Sequence, residues 1–231
     1  MSEIFSRNEI LIGKEKQNII ENKTVAIFGV GGVGSYVVES LGRCGIKELI
    51  LIDSDTISMS NINRQIIALH STVGKYKVDV MKERLLDINP DIKVTTYTTF
   101  IKNGNSKDIL NSHKIDFIVD AIDTVSSKLE LIKHAKELNI PIISSMGTGN
   151  KLDPSKFEIA DISKTSVCPL AKKIRKELKS LNIKNVKVLY SKEEPKKDSE
   201  EKTIGSISFV PSSAGLLITS YIIKEFIKNI K

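Results

Sequence analysis

Residues 24–34 read TVAIFGVGGVG, and this stretch decides the fold. A short apolar run ends in Gly29, three more glycines follow by residue 34, and a helical pattern through Val37, Val38 and Leu41 takes over. Strand, glycine turn and helix in that order form the phosphate-binding start of a doubly wound sheet. Gly29 allows the tight turn, Gly31 lets backbone approach a phosphate, and Gly34 permits close helix–strand packing; Gly32 belongs to the same nucleotide-facing string. The amino terminus of the helix offers free N–H groups to an anion.

Reading outward, ELILID (48–53) is a second strand ending in Asp53, where a carboxylate can accept hydrogen bonds from a ribose. The pattern then predicts a helix over 71–88, stopped by Asn89-Pro90. IKVTTY (92–97), a short helix near 107–110, IDFIVD (115–120), a helix over 124–138 and IPIISS (140–145) continue the alternation. Strands separated by helices of this length predict an α/β, Rossmann-like doubly wound fold, a mostly parallel sheet with helices on both faces. One nucleotide-binding domain is expected over 1–231, with its core in 1–150. A substrate-side extension in 151–231 carries a basic helix and a C-terminal helix. Glu193 to Lys202 is charged and apolar-free, and reads as a mobile loop.

Composition narrows the function classes. At 40% hydrophobic and 27% charged residues, disorder and collagen-like repetition are excluded. Cys44 and Cys168 form no CxxC pair, so neither a disulfide scaffold nor a cysteine zinc site is expected, and a cytoplasmic setting fits. His70, His113 and His134 show no metal-ligand spacing. Residues 203–223 are uncharged and long enough to span a bilayer, but Gly205, Ser206, Ser208, Pro211, Ser212, Ser213 and Gly215 interrupt them. A strand at about 206–209, a turn at Pro211 and a buried helix from Ser212 are expected instead, with no membrane association. The chain carries a net +7, and residues 164–187 alone account for all of it. There Leu170, Ile174, Leu178 and Leu181 recur at helical spacing, and Lys172, Lys173, Arg175, Lys176 and Lys179 lie between them. Such a face is either merely solvated or a phosphate-binding surface. The concentration of the whole excess in one segment favours nucleic acid.

Asp55 and the loop Asn61-Ile62-Asn63-Arg64-Gln65 follow Asp53, Lys77 lies on the next helix after Val73-Gly74, and Asp123 ends the fourth strand in Asp120-Ala121-Ile122-Asp123. Two cations and a carboxylate around a nucleotide suit a triphosphate: the cations neutralise phosphate oxygens and the acid holds Mg²⁺ through oxygen. The bland alternatives are a surface salt bridge for Arg64 and a helix N-cap for Asp123. The glycine string alone would also suit an NAD-dependent oxidoreductase, or a nucleotide-binding sensor with no turnover.

GVGGVGS, LIDSD, the SNINRQ loop, VGKYK and DAIDT together resemble the adenylating superfamily of ubiquitin-activating enzymes and bacterial ThiF/MoeB/HesA proteins. By that resemblance Asp53 binds ribose, Arg64 and Lys77 hold the triphosphate, Asp123 coordinates Mg²⁺, and Asn61 lies beside the phosphates with Asp55 and Gln65 nearby. Arg7, in FSRNEILIG, would reach the nucleotide of the other subunit in a homodimer. IPIISSMGTGNKLDPSKFEIADISKT and CPLAKKIRKELK are similar to one branch, the tRNA threonylcarbamoyladenosine dehydratases. This branch implies ATP-dependent cyclisation of a modified adenosine beside the tRNA anticodon. The threonyl carboxylate attacks the α-phosphorus, pyrophosphate leaves, the carbamoyl group attacks the acyl carbon, and AMP departs. ATP, Mg²⁺ and a monovalent cation are the implied cofactors, without zinc; tRNA and a sulfur-transfer or redox protein are the implied partners. Some relatives carry a cysteine just before a segment like LYSKE, where Val188 and Leu189 stand here. Cys168 is then either packing or a thiol whose pKa nearby lysines could lower. The alternative substrate is the C-terminal glycine of a ubiquitin-like sulfur carrier, but members that use it often carry the paired CxxC motifs missing here.

Overall fold

The structure, a computed structural model, describes residues 3–196 and 203–228. Seven strands form one sheet: β1 (Thr24–Phe28), β2 (Glu48–Ile52), β3 (Lys93–Tyr97), β4 (Phe117–Asp120), β5 (Ile142–Ser145), β6 (Phe157–Asp161) and β7 (Lys187–Ser191). Their order is β3-β2-β1-β4-β5-β7-β6, parallel throughout except for β6 against β7. Every residue of β1 is buried. Val25 and Ile27 face one core, Ala26 and Phe28 the other, which is why the central strand reads as an unbroken apolar run. Burying one such large side chain is worth about 1.5–3 kcal/mol.

Among the described residues there are eight α-helices: α1 (Ser6–Ile12), α2 (Lys14–Ile20), α3 (Gly34–Cys44), α4 (Lys77–Ile88), α5 (Asn105–Asn111), α6 (Val125–Glu137), α7 (Pro169–Ser180) and α8 (Phe209–Ile227). Helices α3, α4 and α8 cover the face that Val25 and Ile27 line. Helices α5, α6 and α7 cover the other. After β1 the chain moves outward to β2 and β3, then returns to place β4 on the opposite side of β1. That reversal opens a crevice at the carboxyl ends of β1 and β4, the usual ligand position in doubly wound sheets.

Four expectations need correction. β4 ends at Asp120, whose carboxylate accepts from the Ile122 amide as the chain turns, so Asp123 lies in the loop beyond the strand. No strand forms at 206–209; Ile204 and Ile207 are exposed, and the backbone there runs irregularly into α8. Pro211 is not a turn but the third residue of α8, tolerated because first-turn amides have no intrahelical acceptor. The helix expected from residue 71 begins only at Lys77, after Gly74 takes a φ of +86°. β6 and β7 extend the sheet directly beyond β5, and α8 packs on α3 so closely that a Cβ on Gly215 would lie 2.6 Å from the Val33 carbonyl oxygen. No described helix, α8 included, is long and apolar enough to cross a membrane. Residues 197–202 of the expected mobile loop lie outside the described residues.

Candidate active site

Gly29 closes β1 with a φ of +91°, and a Cβ there would lie 2.6 Å from the Ala121 carbonyl oxygen. The glycine turn thus rests directly on the loop after β4. Gly34 is tighter still: its Cβ would sit 1.8 Å from the Gly29 carbonyl oxygen. Gly31 differs, since a Cβ there would meet nothing nearer than Gln65 Nε2 at 3.7 Å. No protein atom requires glycine at that position, whereas a ligand approaching the backbone would. No side chain caps the start of α3, which suits an anion at that end.

The turn, the loop after β2, residues 64–65, Lys77 and the loop after β4 enclose a cavity of about 550 Å³, in the range that takes a nucleotide. Asp53 stands just past β2. Its Oδ2 accepts from the Val30 amide at 2.7 Å and its Oδ1 from the Asp55 amide at 2.9 Å. Burial pushes the Asp53 carboxyl above the usual range, while Lys77 and the two amides oppose the rise and the Asp55 carboxylate adds to it. Lys77, at the first position of α4, is buried; its Nζ lies 2.7 Å from Asp55 Oδ2 and 3.9 Å from Asp53 Oδ2. The Asp55 side chain is 64% exposed against 9% for Asp53, so an incoming phosphate would displace Asp55 rather than Asp53.

Arg64 is half-buried on the cavity wall, its Nη1 donating to the Ser60 carbonyl at 2.6 Å and to Asn63 Oδ1 at 2.9 Å. Among the described residues it forms no salt bridge. Gln65 is buried beside it, and its Oε1 has no hydrogen-bond partner among the described residues. A buried acceptor left open on a cavity wall is a place for a ligand donor. Asp123 is exposed to the cavity, accepting from Thr124 Oγ1 at 3.2 Å; Thr124, not Asp123, occupies the N-cap of α6. The described residues contain no cluster of three or more His, Cys, Asp or Glu. A single carboxylate facing a phosphate site matches the way Mg²⁺ is usually held, by one or two carboxylates plus phosphate oxygens.

Other expected residues are not brought to this cavity. Asn61 accepts from the Ser58 amide at 3.1 Å and closes a capping box on a short 3-10 turn, so it shapes the loop from behind. Arg7 is exposed on α1 and outside the cavity wall. On α7, Ala171, Ile174 and Leu178 pack inward while Lys172, Lys173, Lys176 and Lys179 are exposed. Leu181 follows the helix and is half exposed. Arg175 Nη1 is engaged by the Thr165 carbonyl at 2.8 Å and hydroxyl at 2.5 Å, which ties down the turn before the helix. Leu170 reaches the cavity, so the amino end of α7, the helix that carries the exposed lysines, borders it.

The far wall was not visible in the sequence. It consists of Ser145, the last residue of β5, and Met146 to Gly149 beyond it, together with Ile204 and Ser206. The segment carrying the last two is held across the opening: Asn63 Nδ2 donates to the Ser206 carbonyl at 2.9 Å, and Asn150 and Gly205 exchange bonds of 2.6 and 2.8 Å. Two isolated asparagines carry no periodicity that could have announced this. Cys168 is buried at the N-cap of α7, with its Sγ 3.8 Å from where a Gly147 Cβ would lie.

Comparison with known proteins returns the same architecture. The ThiF family model matches residues 5–230. The tRNA threonylcarbamoyladenosine dehydratase of Bacillus subtilis is 41% identical over 98% of this chain and 96% of its own. The solved E. coli tRNA N6-threonylcarbamoyladenosine dehydratase in complex with AMP superposes with a TM-score of 0.93 at 31% identity, covering 98% of this chain and 95% of that one. Its complex with ATP gives a TM-score of 0.91 over the same shares.

Proposed function

Because this chain belongs to the ThiF family, we propose that it is an ATP-dependent tRNA threonylcarbamoyladenosine dehydratase. The observation that carries this reading is the convergence of Asp53, Arg64, Lys77 and Asp123 on one cavity beneath the glycine turn, beside the cationic face of α7. The similarity to enzymes of that name over nearly the full length supports the choice of substrate.

A free carboxylate is a poor acyl donor, because its leaving group would be oxide. ATP serves as the activating substrate, its ribose placed at Asp53 and its phosphates at the glycine turn. Lys77 exchanges Asp55 for phosphate oxygen, and Arg64 swings from its backbone acceptor to do the same; both stabilise the charge that builds on the departing pyrophosphate. Mg²⁺, held by Asp123 and phosphate oxygens, would supply further neutralisation there. The threonyl carboxylate attacks the α-phosphorus to give a mixed anhydride and pyrophosphate. The carbamoyl group of the same side chain then attacks the acyl carbon, AMP leaves with the electron pair of the anhydride bond, and the net change is loss of one water. Intramolecular attack in good geometry is worth an effective molarity of about 10⁵ M or more, so no enzyme nucleophile is required. Cys168 therefore has no step assigned to it.

The substrate side carries the second part of the reading. Lys172, Lys173, Lys176 and Lys179 would hold phosphates of the anticodon stem while the modified base enters the cavity past Leu170. A homodimer would bring Arg7 to the other subunit's nucleotide; Ile10 and Leu11 on the same helix are 86% and 84% exposed, apolar surface that such an interface would cover.

The direct test incubates the purified protein with ATP, Mg²⁺ and tRNA bearing threonylcarbamoyladenosine. The expected products are AMP, pyrophosphate and a nucleoside lighter by one water in mass analysis. No AMP with that tRNA, but ATP–pyrophosphate exchange with a ubiquitin-like carrier, would transfer the activity to the other substrate. The triple variant Lys172→Glu, Lys173→Glu, Lys176→Glu should fold normally, bind tRNA more weakly and lose about 0.7–0.9 in salt-dependence slope for each phosphate contact removed. Wild-type affinity and slope would place the RNA surface elsewhere.

A further inference from the structure

Beneath the cavity lies a fully buried ion pair that the chemistry above does not use. Asp120, the last residue of β4, Lys128 in the second turn of α6 and Ser144 in β5 are each 0% exposed. Asp120 Oδ2 accepts from Lys128 Nζ at 2.9 Å and from Ser144 Oγ at 2.5 Å. Lys128 also donates to Ser144 at 3.2 Å, so the three side chains close on one another. The remaining oxygen, Asp120 Oδ1, accepts from the Ile122 amide at 3.1 Å. That last bond reaches the segment Ala121–Asp123, on which Gly29 rests and which ends in the cavity carboxylate. The segment is held on its other side by the Ala121 amide donating to the Phe28 carbonyl at 2.8 Å.

A buried ion pair is weak support for stability, since well-packed apolar residues of similar volume usually serve as well or better. Its position is more informative than its energy. It joins the ends of two strands and the start of α6 at the one loop that must hold both the floor of the glycine turn and Asp123. We propose that Asp120, Lys128 and Ser144 are positioning residues that set the backbone of residues 121–123, and through it the distance between the Asp123 carboxylate and the nucleotide phosphates. The inference rests on the adenylating reading above. None of the three touches the nucleotide; they act through the Ile122 amide, as outer residues fix a metal-facing ligand from behind.

The test uses two variants of the full chain. Asp120→Asn with Lys128→Met removes both charges together, so neither is stranded, and replaces the carboxylate with a weaker acceptor. Ser144→Ala removes one hydrogen bond and no charge. In the folded double variant, the Mg²⁺ concentration that half-saturates AMP formation should rise about tenfold and kcat should fall about tenfold, with KM for ATP within about twofold. Amide hydrogen exchange at Ile122 and Asp123, measured without nucleotide or metal, should accelerate about tenfold or more. Ser144→Ala should move every readout in the same direction by less. A folded double variant with wild-type exchange and wild-type Mg²⁺ dependence overturns the proposal. Should the double variant fail to fold, wild-type behaviour of Ser144→Ala overturns it. If the unmodified protein makes no AMP from ATP and the modified tRNA, the adenylating reading fails instead, and the exchange measurement still decides what the buried trio does.

Discussion

Replacing Asp123 with asparagine is expected to lower AMP formation from ATP and the modified tRNA by about 10²–10³-fold. The change is isosteric and removes one negative charge from the β4 side of the cavity wall, where Asp123 is the one carboxylate among the described residues. Its structural effect should be small. Asp123 is exposed and accepts a single side-chain bond, from Thr124, which an amide oxygen can still accept. Thermal unfolding should therefore shift by no more than about 0.5 kcal/mol in stability. Lys77→Ala would be a poorer experiment, because it leaves Asp53 buried beside no cation and mixes folding with chemistry. Unchanged AMP production by folded Asp123→Asn protein would remove the metal role from this residue.

The second large effect separates two glycines that look alike in sequence. Gly34→Ala would put a methyl 1.8 Å from a backbone oxygen, and neither the helix start nor the strand end has room to move. A loss of about 3 kcal/mol or more is expected, beyond ordinary overpacking. Gly31→Ala meets no protein atom closer than 3.7 Å and has no left-handed φ to lose. Its stability should match the parent, while its methyl intrudes where a phosphate would lie and weakens ATP binding about tenfold, or about 1.4 kcal/mol. Calorimetric unfolding and nucleotide titration of the two variants check this directly. Equal stability for both would mean that the turn is not packed as described; equal ATP affinity for Gly31→Ala would move the phosphates off the turn.

This contrast also shows what was legible in the amino-acid sequence and what was not. The parallel sheet could be read because a strand buried on both faces must be apolar at every position, as β1 is, and because helices of similar length separate the strands. The positions of the glycine turn, Asp53 and Asp123 on the cavity wall could be read because each lies at or just past a strand end, where topology brings loops together, whereas Arg64, Gln65 and Lys77 lie well beyond β2 and were marked by the motif resemblance. Asn61 looked like a phosphate neighbour but braces its own loop, since short amide side chains serve either purpose equally well. Arg175 shared its periodicity with the exposed lysines, yet lies near enough to Thr165 to be engaged there. The far wall escaped altogether because hydrogen bonds such as Asn63 to Ser206 join positions 143 residues apart. Nothing in local pattern encodes such a pairing. The strand expected at 206–209 failed for a related reason: alternating apolar residues signal a strand only if a sheet edge is available, and this segment is instead committed to crossing the cavity.

Under the proposed function, in which Lys77 takes phosphate oxygen, its contact with Asp55 has a consequence for the catalytic cycle. Asp53, 3.9 Å away, already offsets part of the buried Lys77 charge, and on the proposed reading the solvent-facing Asp55 completes that balance in the resting protein as a surrogate anion. Loading is then a trade of one counter-ion for another, with the evicted carboxylate hydrated at once. Unloading reverses the trade: a product that has shed its two outer phosphates no longer competes for the ammonium, and the surrogate returns behind it.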